Sequence, residues 1–273
     1  MADEPEKSGS VVKNVTDGAS KVGHSAEEGV YSMVDRVQGA PSDKELFGLK
    51  PEQIVRYRKK ARRIGLLSVL IKIGIVILAI MALIEGEMVW VFTGLFALAF
   101  AFFPMILRKN YKMSIPWLLE FLIFLALFLH TLGGVMNLYS TFSWWDTMTH
   151  FVSTFMLAVV ALAVIYIMHT YWSGLTMDIR AIMVFTIFIA AFLGAIWEVL
   201  EWSVDQIFST HEQNGLDDTM KDLVMDMVGA MIAAMLGAKW IIDGTMRGMT
   251  ADFGDALNER VFEDLESVTS EKL

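Results

Sequence analysis

Six long apolar blocks alternate with short polar segments along the chain from residue 64 onward. They cover roughly residues 64–84, 88–107, 115–136, 146–168, 180–204 and 219–241. Each block has about the 20 residues that a helix needs to cross the hydrocarbon core of a bilayer. Because backbone polar groups must be paired inside lipid, such blocks are expected to be helical. The pattern therefore predicts an all-α fold, a polytopic membrane protein with six transmembrane helices.

The polar residues before the first block contain a weaker helical signal. Apolar side chains from Val12 to Val37 recur at intervals of three and four with charged residues opposite them, which is the spacing of an amphipathic helix. Glycines lower the helix propensity of this stretch, so we expect it to fold on a membrane surface or on a protein partner. A second, short helix is predicted from Pro51 and is expected to end in the basic run Arg56–Arg63.

The residues after Arg247 are acidic and have apolar positions spaced for another amphipathic helix, which we expect to be a solvated tail. The predicted domains are a cytoplasmic N-terminal segment (1–60), a six-helix transmembrane domain (61–243) and an acidic cytoplasmic tail (244–273).

Basic residues predict the orientation of the six spans. Twelve Lys and Arg residues fall on one side of the membrane, and only Lys221 falls on the other. Since cytoplasmic loops have the excess of basic residues, both termini are predicted to be cytoplasmic, in a multi-pass protein of the plasma (inner) membrane. The twelve residues are Arg56, Arg58, Lys59, Lys60, Arg62, Arg63, Arg108, Lys109, Lys112, Arg180, Lys239 and Arg247.

The composition agrees with a membrane protein and excludes several kinds of function. Hydrophobic residues make up 55% of the chain, and the mean hydropathy is +0.51. There is no Cys, which excludes disulfides and thiolate metal sites. The net charge of -9 lies mainly in the tails, so nucleic-acid binding is not expected.

Ionisable residues concentrate at the extracytoplasmic ends of the last four predicted spans. They are His130 in the third span, Asp146 and His150 in the fourth, Glu198 and Glu201 in the fifth, and Asp218, Asp222 and Asp226 in the sixth. Charged groups at membrane depth are costly and typically face a cavity. Glu198, Asp222 and Asp226 lie inside the spans, beyond the reach of a helix cap. The sequence therefore predicts a polar, acidic pocket that opens outward.

Several of the neighbouring residues also have purely structural interpretations. Asp146 can cap the fourth helix, and Asp217 and Asp218 can cap the sixth, because carboxylates favour helix N-termini. Glu120 is expected to pair with a basic neighbour. The small residues Gly229, Ala233 and Gly237 are expected to bring the sixth helix close to a neighbour, which would hold its acidic end against the fifth. An interfacial aromatic belt is predicted from Trp144, Trp145, Trp197 and Trp202.

The residue types in the pocket suit a cation. Imidazoles and carboxylates presented by facing helices form the ligand sets of four-helix di-metal sites, although the Glu-x-x-His pairs of those sites are absent here. The predicted metal ligands are His150, Glu198, Asp222 and Asp226. We predict Glu201 as a catalytic base, and His130 as a proton donor or as a residue that orients a ligand. This mixture suits Mn, Fe or Zn, and the excess of carboxylates also admits Mg or Ca.

Three short motifs resemble VanZ-like membrane proteins. Asp146-Thr-Met-Thr-His150-Phe151 is similar to their Asp-Lys-x-x-His-Phe motif, and Asp222-Leu-Val-Met-Asp226-Met-Val-Gly229-Ala230 resembles their Asp-Leu-x-x-Asn-x-x-Gly-Ala segment. Trp197-Glu-x-x-Glu201 is similar to the Trp-Glu-x-x-Glu of the YjdF-type inner-membrane branch. The likeness covers about residues 115–240 and implies a multi-spanning protein of the cell envelope. The named member is associated with glycopeptide-antibiotic resistance, and no biochemical activity carries over. Asp226 replaces an Asn that is frequent in VanZ-like chains, which adds a negative charge.

Three functions agree with this sequence. The first is a divalent-metal-dependent enzyme, or an enzyme-like site, that acts on a membrane lipid or another envelope precursor. The alternative is a cation- or proton-coupled transporter in which the same carboxylates bind the transported ion. The third is a structural or regulatory membrane protein whose amphipathic tails recruit partners.

Overall fold

The computed structural model describes residues 51–111, 115–172, 174–208 and 215–258, together with Gly29, Ser32 and Gln213. Most of the amphipathic helix predicted over residues 12–37, and the tail from residue 259 on, lie outside the described residues. Regular secondary structure in the described part is entirely helical. The helices are α1 (Pro51–Glu85), α2 (Met88–Tyr111), α3 (Trp117–Val135), α4 (Trp145–Tyr171), α5 (Ile179–Phe208), α6 (Leu216–Ile242) and α7 (Thr245–Leu257), with a single helical turn at Leu138–Thr141.

The lengths and surfaces of these helices are those of a polytopic membrane protein. Among the described residues, five helices (α1, α3, α4, α5 and α6) are long and apolar enough to cross a bilayer. In α2 the apolar part of the helix is shorter and covers Met88–Phe100. The exposed side chains of these helices include many large hydrophobic ones, such as Phe92, Phe188 and Ile207. Such a surface is stable where lipid covers it.

The short helix predicted from Pro51 is instead the start of α1. This helix runs without a break for 35 residues, through the basic run and into the first apolar block. Arg and Lys are good helix formers, and no proline follows Pro51 before Pro104. The predicted boundary at residue 60 therefore falls inside one continuous helix.

Helix α4 occupies the centre of the bundle. It packs against α3 on one side and against α5 and α6 on the other, while α1 and α2 pack against each other and against α3. The main core cluster contains several alanines, among them Ala158, Ala190, Ala230 and Ala233. Small residues allow helix backbones to approach closely. This packing places the N-terminal end of α4 between α3, α5 and α6.

The small-residue stripe of α6 faces α4, which is the neighbour that it approaches, and the acidic end of α6 lies against α5, where Asp226 packs on Gly194. A Cβ atom on Gly229 would come within 2.8 Å of the backbone oxygen of Phe151, and one on Gly237 would collide with Leu162. The glycines thus fix the distance between α4 and α6.

Two further features lie away from this interface. The buried Glu120 of α3 accepts a hydrogen bond from Lys72 Nζ of α1 at 2.6 Å, so the predicted basic partner of Glu120 is present. The start of the acidic tail forms α7, which packs against α4 and α6 and buries Met246, Met249 and Thr250. This part of the tail is therefore attached to the bundle.

Candidate functional site

The site is built on the first turns of α4. The N-cap residue of this helix is Trp144, which forms no side-chain capping hydrogen bond, and Asp146 lies in the first turn. Asp146, His150 and Thr154 recur at intervals of four and share a helix face. That face is directed towards α5 and α6, because His150 and Thr154 contact side chains on both helices.

His150 has carboxylates on both sides of its ring. Its Nε2 atom lies 3.7 Å from Asp146 Oδ1 and 3.6 Å from Glu198 Oε1. Its Nδ1 atom lies 3.4 Å from Asp226 Oδ1. His150 is buried, as are Glu198 and Asp226. One imidazole thus connects acidic side chains from three helices.

Threonines lie beside the buried carboxylates. Thr154 donates a hydrogen bond of 2.6 Å to Asp226 Oδ1. Thr147 lies close to Asp222, and Thr219 lies close to Glu198. Gly194 of α5 leaves the space that Asp226 Oδ2 occupies, since a Cβ atom there would collide with it.

Two carboxylate oxygens in the site accept no hydrogen bond from any described residue. They are Glu198 Oε1 and Asp222 Oδ1, and both are buried. The two residues are 6% and 2% exposed. A buried polar atom without a partner costs free energy, and a bound cation would remove that cost at a carboxylate.

The spacing of the ligand atoms permits a metal ion. Two overlapping groups of three residues place one ligand atom each within 4.8 Å of the others: Asp146, His150 and Asp222, and His150, Glu198 and Glu201. Within the described part of the chain, no Lys or Arg forms an ion pair with any of these carboxylates or with Asp226. The site therefore places five carboxylic side chains near His150 without a Lys or Arg paired to them among the described residues.

Glu201 and His130 lie on the side of the site that faces α3. Glu201 Oε1 accepts a hydrogen bond of 2.7 Å from Trp197 Nε1. The His130 ring contacts that of Trp197 edge-on, with 5.8 Å between the centroids. Its Nδ1 atom lies 2.8 Å from the hydroxyl oxygen of Tyr139. Trp197 thus connects the two predicted catalytic residues, because its ring contacts His130 and its Nε1 donates a hydrogen bond to Glu201.

A cavity of about 720 Å³ extends from this cluster into the bundle. Its polar end is lined by Asp146, His150, Glu201 and Asp226, with His130 nearby. The remainder of its wall is mainly apolar and comes from α2, α3, α4 and α5. Pockets of about 300–1,000 Å³ with few polar groups are typical small-molecule sites.

All six predicted site residues therefore converge on one region, although they do not form one ligand set. Asp226 contacts the Nδ1 side of His150, whereas Glu198 contacts the Nε2 side. Asp146 was not among the predicted metal ligands, and the three threonines were not among the predicted site residues. The spacing of Thr147 and Thr154 about His150, three and four residues away on one helix face, is a signal that could have found them.

Two of the tryptophans predicted to form an interfacial belt also have contacts within the protein. Trp145 is 9% exposed, and Trp197 donates to Glu201. Trp144 and Trp202 are more than half exposed, at 55% and 52%, as residues of an interfacial belt are.

Comparisons with known proteins place the chain in a family. Residues 66–242, well over half of the chain, match the family described as "Predicted membrane protein (DUF2238)". An uncharacterized protein of Thermotoga maritima is 26% identical over 125 residues, which are 45% of this chain and 63% of the relative's length. No solved structure matches the chain. The family match includes every residue of the candidate site, and the chain therefore belongs to the DUF2238 family of predicted membrane proteins.

Proposed function

We propose that the cluster around His150 binds a divalent cation and serves a membrane enzyme that acts on a lipid or another envelope precursor. The observation that carries this proposal is a pair of buried carboxylate oxygens, Glu198 Oε1 and Asp222 Oδ1, that accept no hydrogen bond from any described residue. Each residue also belongs to a group whose ligand atoms lie within 4.8 Å of one another. Buried carboxylate oxygens that accept no hydrogen bond are what a cation site requires.

The contacts of His150 favour its Nε2 atom as the metal ligand. Asp146 Oδ1 and Glu198 Oε1 flank this atom, with Asp222 and Glu201 also within ligand reach. Metal-bound histidines commonly donate the other ring N–H to a carboxylate, which fixes the tautomer and the ring orientation. We therefore assign Asp226 to orienting His150 through Nδ1 and add Asp146 to the ligands.

The chemistry follows from the residues at the polar end of the cavity. A bound divalent ion would supply Lewis acidity or an activated water. Glu201 has Oε1 held by Trp197, so that its second oxygen is available to accept a proton. His130 lines the same cavity and can return a proton to a leaving group. Imidazole and carboxylate ligands suit Mn, Fe or Zn, and Mg is also admitted.

The topology and location of the enzyme are part of the same proposal. Six spans with cytoplasmic termini would place the site in the outward half of the plasma (inner) membrane. The excess of basic residues on one side supports this orientation, and the VanZ-like and YjdF-like motifs support a cell-envelope setting. The described spans α3 to α6 run unbroken past the site, whereas transporters often have interrupted helices at the binding site. This favours the enzyme over the transporter.

The proposal is tested by metal-dependent stabilisation of the purified protein. After chelation, adding Mn or Zn should raise the melting temperature, because a ligand that binds only the folded state stabilises it by about 2.7 kcal/mol at about 100 times Kd. Glu198→Gln and Asp222→Asn should each abolish the rise and leave the protein folded. Glu87→Gln, at an exposed loop carboxylate, is the matched control and should keep it.

Absence of any metal-dependent shift in the wild type, together with absence of metal in the protein as isolated, would refute the metal site. The carboxylates would then have to share protons, and the proton-coupled transporter would become the better account.

A further inference from the structure

The shape and polarity of the cavity beside His150 match those of an amphiphile. Along α4 its lining extends from Asp146 to Val160, which at 1.5 Å per residue is about 21 Å. The carboxylates and His150 lie at one end. The other end is lined by apolar side chains, among them Phe100, Leu157 and Val160. A long cavity with this division suits a hydrocarbon chain attached to one polar group.

The wall of the cavity is exposed on the side that faces lipid. Phe96 and Phe100 of α2 and Leu193 of α5 line it, and their side chains are 59%, 42% and 36% exposed. Helices α3 and α5 both pack against α4 but have no extensive contact with each other. In a membrane this gap is covered by lipid, so a ligand can enter sideways from the bilayer.

The polar end of the cavity selects for positive charge. Its lining contains Asp146, Glu201 and Asp226 but no Lys or Arg. The aromatic rings of Trp90, Tyr139 and Trp197 also line this region, and aromatic faces attract ammonium groups. The cavity therefore offers carboxylate oxygens and aromatic faces to an ammonium group, and its lining has no basic side chain to pair with an anionic headgroup.

We propose that the cavity binds an amphiphile with a single hydrocarbon chain and an ammonium group, with the ammonium beside Glu201 and the chain between α2 and α5. That this amphiphile is the substrate rests on the proposed function, but its binding does not require the metal.

Photocrosslinking of the full-length protein tests this inference. The probes are an alkyltrimethylammonium and a fatty acid of equal chain length, each with a diazirine on the chain, added to protein in phosphatidylcholine nanodiscs. We expect the ammonium probe to label α2, α3 or α5 at least roughly tenfold more than the fatty acid, a ratio that corresponds to about 1.4 kcal/mol of binding free energy. Glu201→Gln should reduce this preference.

A matched pair of substitutions on α4 tests the location. Leu157→Trp fills the apolar part of the cavity and should prevent labelling, whereas Val164→Trp, at an exposed position of the same helix, should not. The melting temperature of both variants, measured without added metal, shows whether the bundle is still folded.

The outcomes separate this inference from the proposed metal site. Equal labelling by both probes, or labelling that Leu157→Trp leaves unchanged, overturns the ammonium amphiphile even when the metal shift is present. Selective labelling that Leu157→Trp blocks supports it, and this result can be obtained whether or not any metal stabilises the protein.

Discussion

Thr154 shows how a neutral side chain can control the charged site. Its hydroxyl donates to Asp226 Oδ1 at 2.6 Å, and the same carboxylate lies beside His150 Nδ1. In this arrangement Asp226 Oδ2 fills the space beside Gly194, and Oδ1 lies 3.4 Å from His150 Nδ1. Without the hydroxyl, the carboxylate loses a partner inside the bundle.

Thr154→Val is therefore expected to weaken metal binding. Loss of a residue that orients a ligand typically lowers metal affinity by about 10–100-fold, and titration of the chelated protein with Mn or Zn measures the Kd. Thr170→Val is the matched control, because Thr170 is an exposed threonine on α4 that bonds only its own helix backbone. An unchanged Kd in Thr154→Val would show that Asp226 does not orient His150.

At the scale of elements, the contact between α4 and α6 brings His150 to its carboxylates. On α6, Asp222 lies about two turns and Asp226 about one turn before Gly229, and Gly229 is the residue that allows α6 to approach Phe151 of α4. Gly229 thus sets how close Asp222 and Asp226 of α6 come to α4.

Gly229→Ala should destabilise the bundle more than Gly237→Ala does. A methyl group at residue 229 meets a backbone oxygen, which cannot move without shifting α4, whereas one at residue 237 meets the end of the Leu162 side chain. Overpacking costs about 1–3 kcal/mol, and replacing a helical glycine by alanine returns up to about 1 kcal/mol. Melting temperatures of the two variants measure the difference. Equal melting temperatures would show that α4 and α6 are not held at a fixed distance here.

The pair formed by Lys72 and Glu120 connects α1 to α3 inside the bundle. Glu120 is 2% exposed, and Lys72 Nζ also lies 4.4 Å from the centroid of the Phe124 ring. Removing one partner from a buried pair leaves an uncompensated charge, whereas replacing both with apolar residues is often neutral.

We expect Lys72→Met and Glu120→Leu each to lower the stability of the folded protein by roughly 3–5 kcal/mol. The double variant should recover most of that loss. Thermal unfolding in detergent, compared in a double-mutant cycle, measures the coupling. If the two losses simply add, the ion pair does not couple α1 to α3.

At the scale of the whole molecule, the direction in which the bundle crosses the membrane decides which compartment the site faces. The turn before α4 and the loop between α4 and α5 lie at opposite ends of α4, because each adjoins one end of that helix. The chain contains no cysteine, and single introduced cysteines therefore report accessibility without background.

Ser143→Cys should react with an impermeant thiol reagent in intact cells, and Thr176→Cys should react only after the membrane is permeabilised. Both residues are exposed in the structure, so a difference in labelling reflects the side of the membrane. The reverse pattern would place the carboxylate cluster on the cytoplasmic side.

The sequence alone was sufficient to predict the long apolar helices and to place the charged residues at one end of the bundle. Backbone polar groups of a segment that crosses lipid must be hydrogen-bonded within the protein, so an apolar block of about 20 residues is expected to form a helix. The position of Glu198 near the end of one span and of Asp222 near the start of the next then places both at the same end of the bundle. These predictions depend on the lengths of the apolar blocks and on the positions of the charged residues along the chain, and both can be read from the sequence.

The tertiary structure decided which atoms meet. Gly229 faces α4 rather than α5 because of how α6 is rotated about its axis. The 3.6-residue period shows which residues share a helix face, but not which neighbouring helix that face contacts. Side-chain rotamers determine that Asp226 lies at Nδ1 of His150 while Asp146 and Glu198 lie at Nε2. The roles of the threonines and of Lys72 depend on contacts between residues far apart in sequence, and only the packed bundle brings those residues together.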